Sequence, residues 1–254
     1  MKILGQHIGA MYLWSIAILL SLAAFSSYTL GVFPAPLVLA VVACSVVEVL
    51  VYKVHKNHVI RIPYSGIITG LIIGSVAPYN APLMAILVAS VVAILTKAFV
   101  KTKHGNIFNP AVIGLLVGLA VFSLGDAWWT ASSYGTLGVA IPLSLLFVIA
   151  AYLAKRLLSA AAFVAAVVAI SLATSNSAMS LPLVESAILN VNYFFALLML
   201  ADPKTSPHKN SAQIAYGLGV ALISSILIIL GVQYGLLLAL LAGNLGYLLY
   251  RKMT

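Results

Sequence analysis

The sequence predicts an all-α integral membrane protein of about ten transmembrane helices, and three observations carry that expectation. Charged residues make up only 7% of the 254 residues, while 63% are hydrophobic. Soluble domains carry about 25% charged residues, so this chain has too little polar surface to cover a water-soluble body of its size. The apolar stretches last about 15–20 residues, which suits helices crossing a bilayer. A β-barrel would instead alternate apolar and polar residues in units of about ten. Finally, the basic residues sort onto alternate connections between the apolar stretches.

Ten apolar segments run at roughly 9–29, 35–52, 62–77, 82–100, 108–124, 137–154, 158–174, 188–200, 212–230 and 234–250. The third contains Ser65, Gly66, Thr69, Gly70 and Gly74 and ends at Pro78. The eighth is about 13 residues, or about 20 Å of helix against a hydrocarbon core of about 30 Å. Both read as broken or partly re-entrant spans. Small residues inside the spans, such as the Gly114 and Gly118 pair, suit close helix packing.

The odd-numbered connections, 30–34, 78–81, 125–136, 175–187 and 231–233, hold no Lys or Arg; their charges are Asp126 and Glu185. All thirteen basic residues lie on the other side. They are Lys2; Lys53, Lys56 and Arg61; Lys97, Lys101 and Lys103; Lys155 and Arg156; Lys204 and Lys209; Arg251 and Lys252. The positive-inside rule then gives ten spans in the cell membrane with both termini cytoplasmic. It also accounts for the net charge of +9 without nucleic acid as a partner, because no basic stretch carries interleaved aromatics. The Ser21-Leu-Ala-Ala24 stretch mimics a signal-cleavage site, but removing the first span would spoil this partition. Cys44, the one cysteine, leaves no internal disulfide and no thiolate metal cluster.

Ten spans in a single membrane domain divide as five plus five, residues 1–124 and 137–254. An odd number per half reverses the sense of the second half, which is the arithmetic of an inverted repeat. The two shortened segments are each third of five, and matching short segments point to a central site.

Three polar segments interrupt the apolar background. In Arg61-Ile-Pro-Tyr-Ser-Gly-Ile-Ile-Thr-Gly70, Ser65 and Thr69 share a helical face. A half-helix start there would offer amides to a phosphate or another anion, with Arg61 as a forked donor; alternatively Arg61 snorkels and the small residues pack. In Lys101-Thr-Lys-His-Gly-Asn-Ile-Phe-Asn-Pro-Ala-Val-Ile-Gly114, Asn109 and Pro110 make a good helix start. Lys101, Lys103 and His104 make its approach electropositive; capping and topology signals would explain the segment equally. In the third, Asp202-Pro-Lys-Thr-Ser-Pro207, Asp202 is placed to cap, and Thr205 and Ser206 to donate to phosphate. Glu48 lies inside the second apolar segment. An acid in a span is a functional candidate by default; the alternative is a carboxylate reaching the interface, toward Lys53 or Lys56. Trp128 and Trp129 beside Asp126 read as an interfacial anchor or as a stacking platform for a ring-shaped cofactor. No dinucleotide, phosphate-loop, zinc-hydrolase or nucleophile-elbow pattern occurs.

The order and spacing of these segments resemble the NqrB/RnfD/RnfE family, in its RnfD/NqrB branch. The resemblance is carried by Ser65-Gly-Ile-Ile-Thr-Gly70 with Pro78, by Gly105-Asn-Ile-Phe-Asn-Pro-Ala-Val-Ile-Gly114, and by Asp202-Pro-Lys-Thr-Ser-Pro207 with Gly217. It implies a fold of inverted five-helix repeats like those of urea and ammonium channels. It also implies a membrane subunit of an ion-translocating oxidoreductase, working with flavoprotein and iron–sulfur partner subunits in a lipid bilayer. Family members hold FMN on a threonine of a serine–glycine–alanine–threonine motif, and some branches bind riboflavin or quinone. The matching loop here reads Asp126-Ala-Trp-Trp-Thr-Ala-Ser-Ser-Tyr-Gly-Thr136, with Gly135 where the family has alanine. Thr136 is the implied attachment residue and Thr130 the second choice. The cofactor-binding set expected from motif and resemblance together is Thr136, Arg61, Ser65, Thr69, Lys103, Asn109, Asp202, Thr205 and Ser206. A small-solute channel or transporter on the same fold is the rival reading, and it rests on the altered threonine loop and the short central segments.

Overall fold

The computed structural model describes residues 2–55, 62–102, 105–131, 137–175 and 180–253. The chain is helical almost throughout. The first helices are α1 (Lys2–Leu30), α2 (Ala35–His55), α3 (Tyr64–Val76), α4 (Leu83–Phe99) and α5 (Pro110–Val121). They are followed by α6 (Leu137–Leu153), α7 (Leu157–Thr174), α8 (Leu181–Leu189), α9 (Asn210–Ile229) and α10 (Gly235–Met253). A π-helical turn covers Phe195–Met199, between α8 and α9. Between α4 and α5, the two-residue strands Lys101–Thr102 and Gly105–Asn106 pair antiparallel. Stretches Tyr12–Leu30, Ala35–Val54, Leu157–Thr174 and Asn210–Ile229 are each long and apolar enough to cross a membrane. Together with many large apolar side chains left on the surface, from Leu20 and Val42 to Leu222 and Leu249, they make this an all-α integral membrane protein.

The chain forms two units, Met1–Ser133 and Tyr134–Thr254. In the first, α3 packs against α1, α2, α4 and α5, α2 packs against α4, and α4 against α5. The approach of α3 to α2 is set by glycines four residues apart. A Cβ on Gly70 would lie 2.6 Å from the Ala40 carbonyl oxygen and from Val41 Cα. Only hydrogen fits there, so backbone meets backbone. Gly114 and Gly118 do the same for α5, resting on Ala89 and Ala85 of α4.

The C-terminal end of α3 is closed by the loop after α5. Ala127 N–H (2.8 Å) and Trp128 N–H (3.1 Å) donate to the Val76 carbonyl, and Trp129 Nε1–H donates to the Gly74 carbonyl at 2.7 Å. These bonds satisfy carbonyls that a helix end otherwise leaves open. Trp129 is accordingly buried, 3% exposed, and is neither an interfacial anchor nor an open platform. Trp128 is half-buried and donates from its ring to Asp126 Oδ2 at 2.6 Å.

In the second unit, α8 and the π-helical turn each pack on α6 and α7, α7 packs on α9, and α9 on α10. The eighth span differs from its expected bounds of 188–200. Helix begins at Leu181, because Ser180 caps the Leu183 N–H (3.4 Å) and Pro182 sits in the first turn. It then stops at Leu189, and a new cap forms where Asn192 Oδ1 accepts from Phe195 N–H at 2.9 Å. Glu185 therefore lies on a helix rather than in a connection. The break itself, between Leu189 and Phe195, agrees with the interruption expected from length.

Candidate functional site

Two clusters of described polar groups are built around a buried charge, one in each unit. In the first unit the centre is Glu48, 3% exposed. An isolated carboxylate is costly to bury, and here both oxygens are answered. Gly66 N–H, in the first turn of α3, donates to Oε2 at 2.5 Å, where the helix N-terminus favours negative charge. Lys97, near the end of α4, pairs with Oε1. The half-helix start expected to receive an external anion thus receives an internal one. Glu48 meets Lys97, 49 residues away, rather than a basic residue of its own helix end. A cavity of about 110 Å³ opens beside the pair, lined also by Tyr52 and Lys101.

The other residues singled out in this unit are engaged locally. Thr69, 6% exposed, turns its hydroxyl back to the Ser65 carbonyl at 2.8 Å, as helix-interior threonines do. Ser65 is half-buried one turn below. Asn109 caps α5 as the sequence indicated, accepting from Ala111 N–H at 3.1 Å, with Pro110 opening the helix. Val112 N–H is taken up by the Asn109 carbonyl at 3.1 Å, so the first turn of α5 is satisfied from within. Arg61, Lys103, His104 and Thr136 lie outside the described residues.

The loop before Thr136 has unanswered groups. The Thr130 hydroxyl is 1% exposed and without a partner. Ser75, next to the Trp129-bonded Gly74, and Ser27 also carry buried hydroxyls without partners. Ser27 in turn is next to Ser26, which donates to the Thr130 carbonyl at 3.2 Å. Each such hydroxyl costs about 1–3 kcal/mol when nothing answers it.

In the second unit the centre is Arg156, 2% exposed at the start of α7. Its Nε–H donates to Ser206 Oγ at 3.0 Å, Nη1 to the Lys155 carbonyl at 2.9 Å and Nη2 to the Pro203 carbonyl at 3.3 Å. Nη2 also lies 2.8 Å from His208 Nδ1. From the sequence Arg156 reads only as a topology signal, because its position just before an apolar run gives no sign of burial. Around it, Asp202, Thr205 and Ser206 come together. Asp202 Oδ1 accepts from Lys204 N–H at 3.1 Å, and Oδ2 accepts from the Thr205 hydroxyl at 3.3 Å. The Ser206 hydroxyl donates to the Asp202 carbonyl at 2.6 Å. Asp202 therefore caps a turn, and α9 starts eight residues later at Asn210. Partial desolvation, with the charges of Arg156 and Arg251, holds the largely exposed His208 below its ordinary pKa of 6.5. Its ring stays neutral at pH 7 and can accept from the guanidinium.

Among the described residues no three His, Cys, Asp or Glu side chains converge to hold a metal ion. The fold and these sites define an integral membrane protein whose polar groups are gathered inside helical units. Residues 4–151 match the NQR2, RnfD, RnfE family. The chain belongs to that family and is a membrane subunit of the Rnf/Nqr type. The matched stretch takes in the first two motif segments and the loop up to Thr136, while Asp202–Pro207 falls beyond it. No curated protein matches the chain.

Proposed function

We propose that this chain carries electrons through a membrane-held flavin and contributes to coupled ion movement within a larger complex. The observation that carries the reading is the family match over residues 4–151, whose bounds include the threonine loop at 126–136. Thr136 would hold FMN through its hydroxyl. The hydroxyls of Thr130, Ser75 and Ser27 are buried and unanswered in the first unit, and they are the kind of donors a ribityl or phosphate group needs. When bound, the flavin would supply single-electron chemistry, and the protein would position it and tune its potential. Thr69, Asp202, Thr205 and Ser206 have roles inside the fold, so their part in this reading is to hold α3 and the 202–208 loop in place.

The ten-span topology with both termini in the cytoplasm, the cell membrane as location, and inverted repeats like those of urea and ammonium channels belong to the same proposal. The paired packing supports the repeat. α2 with α4 corresponds to α7 with α9, α4 with α5 to α9 with α10, and α3 with α1 and α2 to α8 with α6 and α7. Flavoprotein and iron–sulfur subunits would supply and remove the electrons, since the sequence has no dinucleotide fingerprint and no thiolate cluster.

The test is flavin content. The purified chain, produced with its own membrane and flavin-transfer machinery, should show FMN absorption and in-gel fluorescence that survives denaturation. Thr136→Ala should abolish the covalent signal. Protein that never carries flavin, yet passes small solutes into liposomes, would overturn the reading in favour of a channel.

A further inference from the structure

We infer that the groove between α9 and α10 is a binding site for an anionic phospholipid, with an acyl chain in the groove and the headgroup phosphate at its basic end. The groove encloses about 520 Å³, within the range of specific small-molecule sites. Ala215, Gly219, Gly243 and Gly246 keep its floor low, and Tyr247 and Tyr250 form a wall. At Gly219 and Gly246 an added Cβ would meet nothing within 4 Å. The glycines at these two positions are therefore not there for helix contact, as Gly70 or Gly217 are; they leave space.

The occupant is indicated by charge. α9 and α10 are successive and antiparallel, so the start of α9 and the end of α10 share one end of the groove. Lys209 precedes α9 there, with Ser211 on the lining, and Arg251 and Lys252 close α10. The Arg251 guanidinium lies 5.5 Å from the ring centroid of the lining Tyr247, which places the cation at the mouth. Among the described residues the one ion pair is Lys97–Glu48, in the other unit. Among the described residues no carboxylate forms an ion pair with Lys209, Arg251 or Lys252. Along the flanks, Leu218, Leu222, Leu245 and Leu249 are exposed and continue the groove into surface that faces acyl chains. An apolar slot opening to lipid, with a cationic mouth at headgroup depth, fits an anionic phospholipid of the adjoining leaflet. A neutral quinone would leave those cations unused, and a zwitterionic lipid would bring its own ammonium group into the same cationic mouth. The inference does not depend on the flavin reading.

The experiment uses the full chain in vesicles containing spin-labelled phosphatidylglycerol or phosphatidylcholine. The expected result is a motionally restricted population that prefers phosphatidylglycerol. Arg251→Gln should reduce that preference about fivefold, the effect of one surface cation on anionic-lipid binding. A Cβ at Gly219 or Gly246 meets nothing within 4 Å, so Gly219→Leu and Gly246→Leu should each fold with unchanged helicity and lose restricted lipid of both kinds. Equal restriction of the two lipids overturns the inference. So does full phosphatidylglycerol binding in folded Gly219→Leu and Gly246→Leu, or a co-purified quinone or partner helix shown by cross-linking to fill the groove.

Discussion

Removing Lys97 should destabilise the first unit far more than removing Lys97 and the Glu48 charge together. Glu48 and Lys97 side chains are 4% and 13% exposed, so little water reaches either. In Lys97→Met the apolar stem is kept and the ammonium removed, which leaves a buried carboxylate held by one amide, Gly66 N–H. Breaking a buried pair from one side costs about 3–5 kcal/mol. For a chain of this size each kcal/mol moves Tm by about 2–4 °C, so a fall of about 6–20 °C is expected. The double variant Glu48→Gln, Lys97→Met carries no charge, and its Gln oxygen can still accept from Gly66. It should recover most of the loss, because replacing both partners of a buried pair is often close to neutral. The assay is thermal unfolding of the purified protein in detergent, followed by intrinsic fluorescence, for wild type, both single variants and the double. Lys97→Met within about 2 °C of wild type, or a double variant no better than Lys97→Met, would refute the argument that the pair is buried and mutually dependent.

Two further outcomes follow from the packing and the loop chemistry. Gly70→Ala places a methyl 2.6 Å from the Ala40 carbonyl oxygen; forcing α2 and α3 apart should cost about 1–3 kcal/mol, read as a lower unfolding temperature, while Gly219→Ala, in open space, should be neutral or stabilising. His208 has a lowered pKa in the folded chain, so the folded state resists its protonation. The stabilisation is complete above the ordinary value of 6.5 and is lost as pH falls below it through the folded pKa. Tm measured from pH 8 to pH 5 should fall more for wild type than for His208→Gln, and parallel curves would remove His208 from the account.

The sequence by itself determined the medium and the class. A chain with 7% charge and apolar runs of helical length has one kind of solvent to face, and backbone groups in lipid must bond within their own helix. It also located the helix start at Asn109–Pro110 and indicated an interrupted eighth segment, though not its start at Leu181, because caps and breaks are written in adjacent residues. The motif segments that placed the chain in its family were legible for the same reason. What only the tertiary structure decided is which groups answer one another. Glu48 finds Lys97 49 residues away, Arg156 finds Ser206 and His208 at separations of 50 and 52, and Trp129 reaches back 55 residues to close α3. Each is a long-range match between a buried polar group and partners that make its burial tolerable. Residue types alone do not carry that information. Packing does, because it brings helices close enough, over glycine, for the pairs to meet.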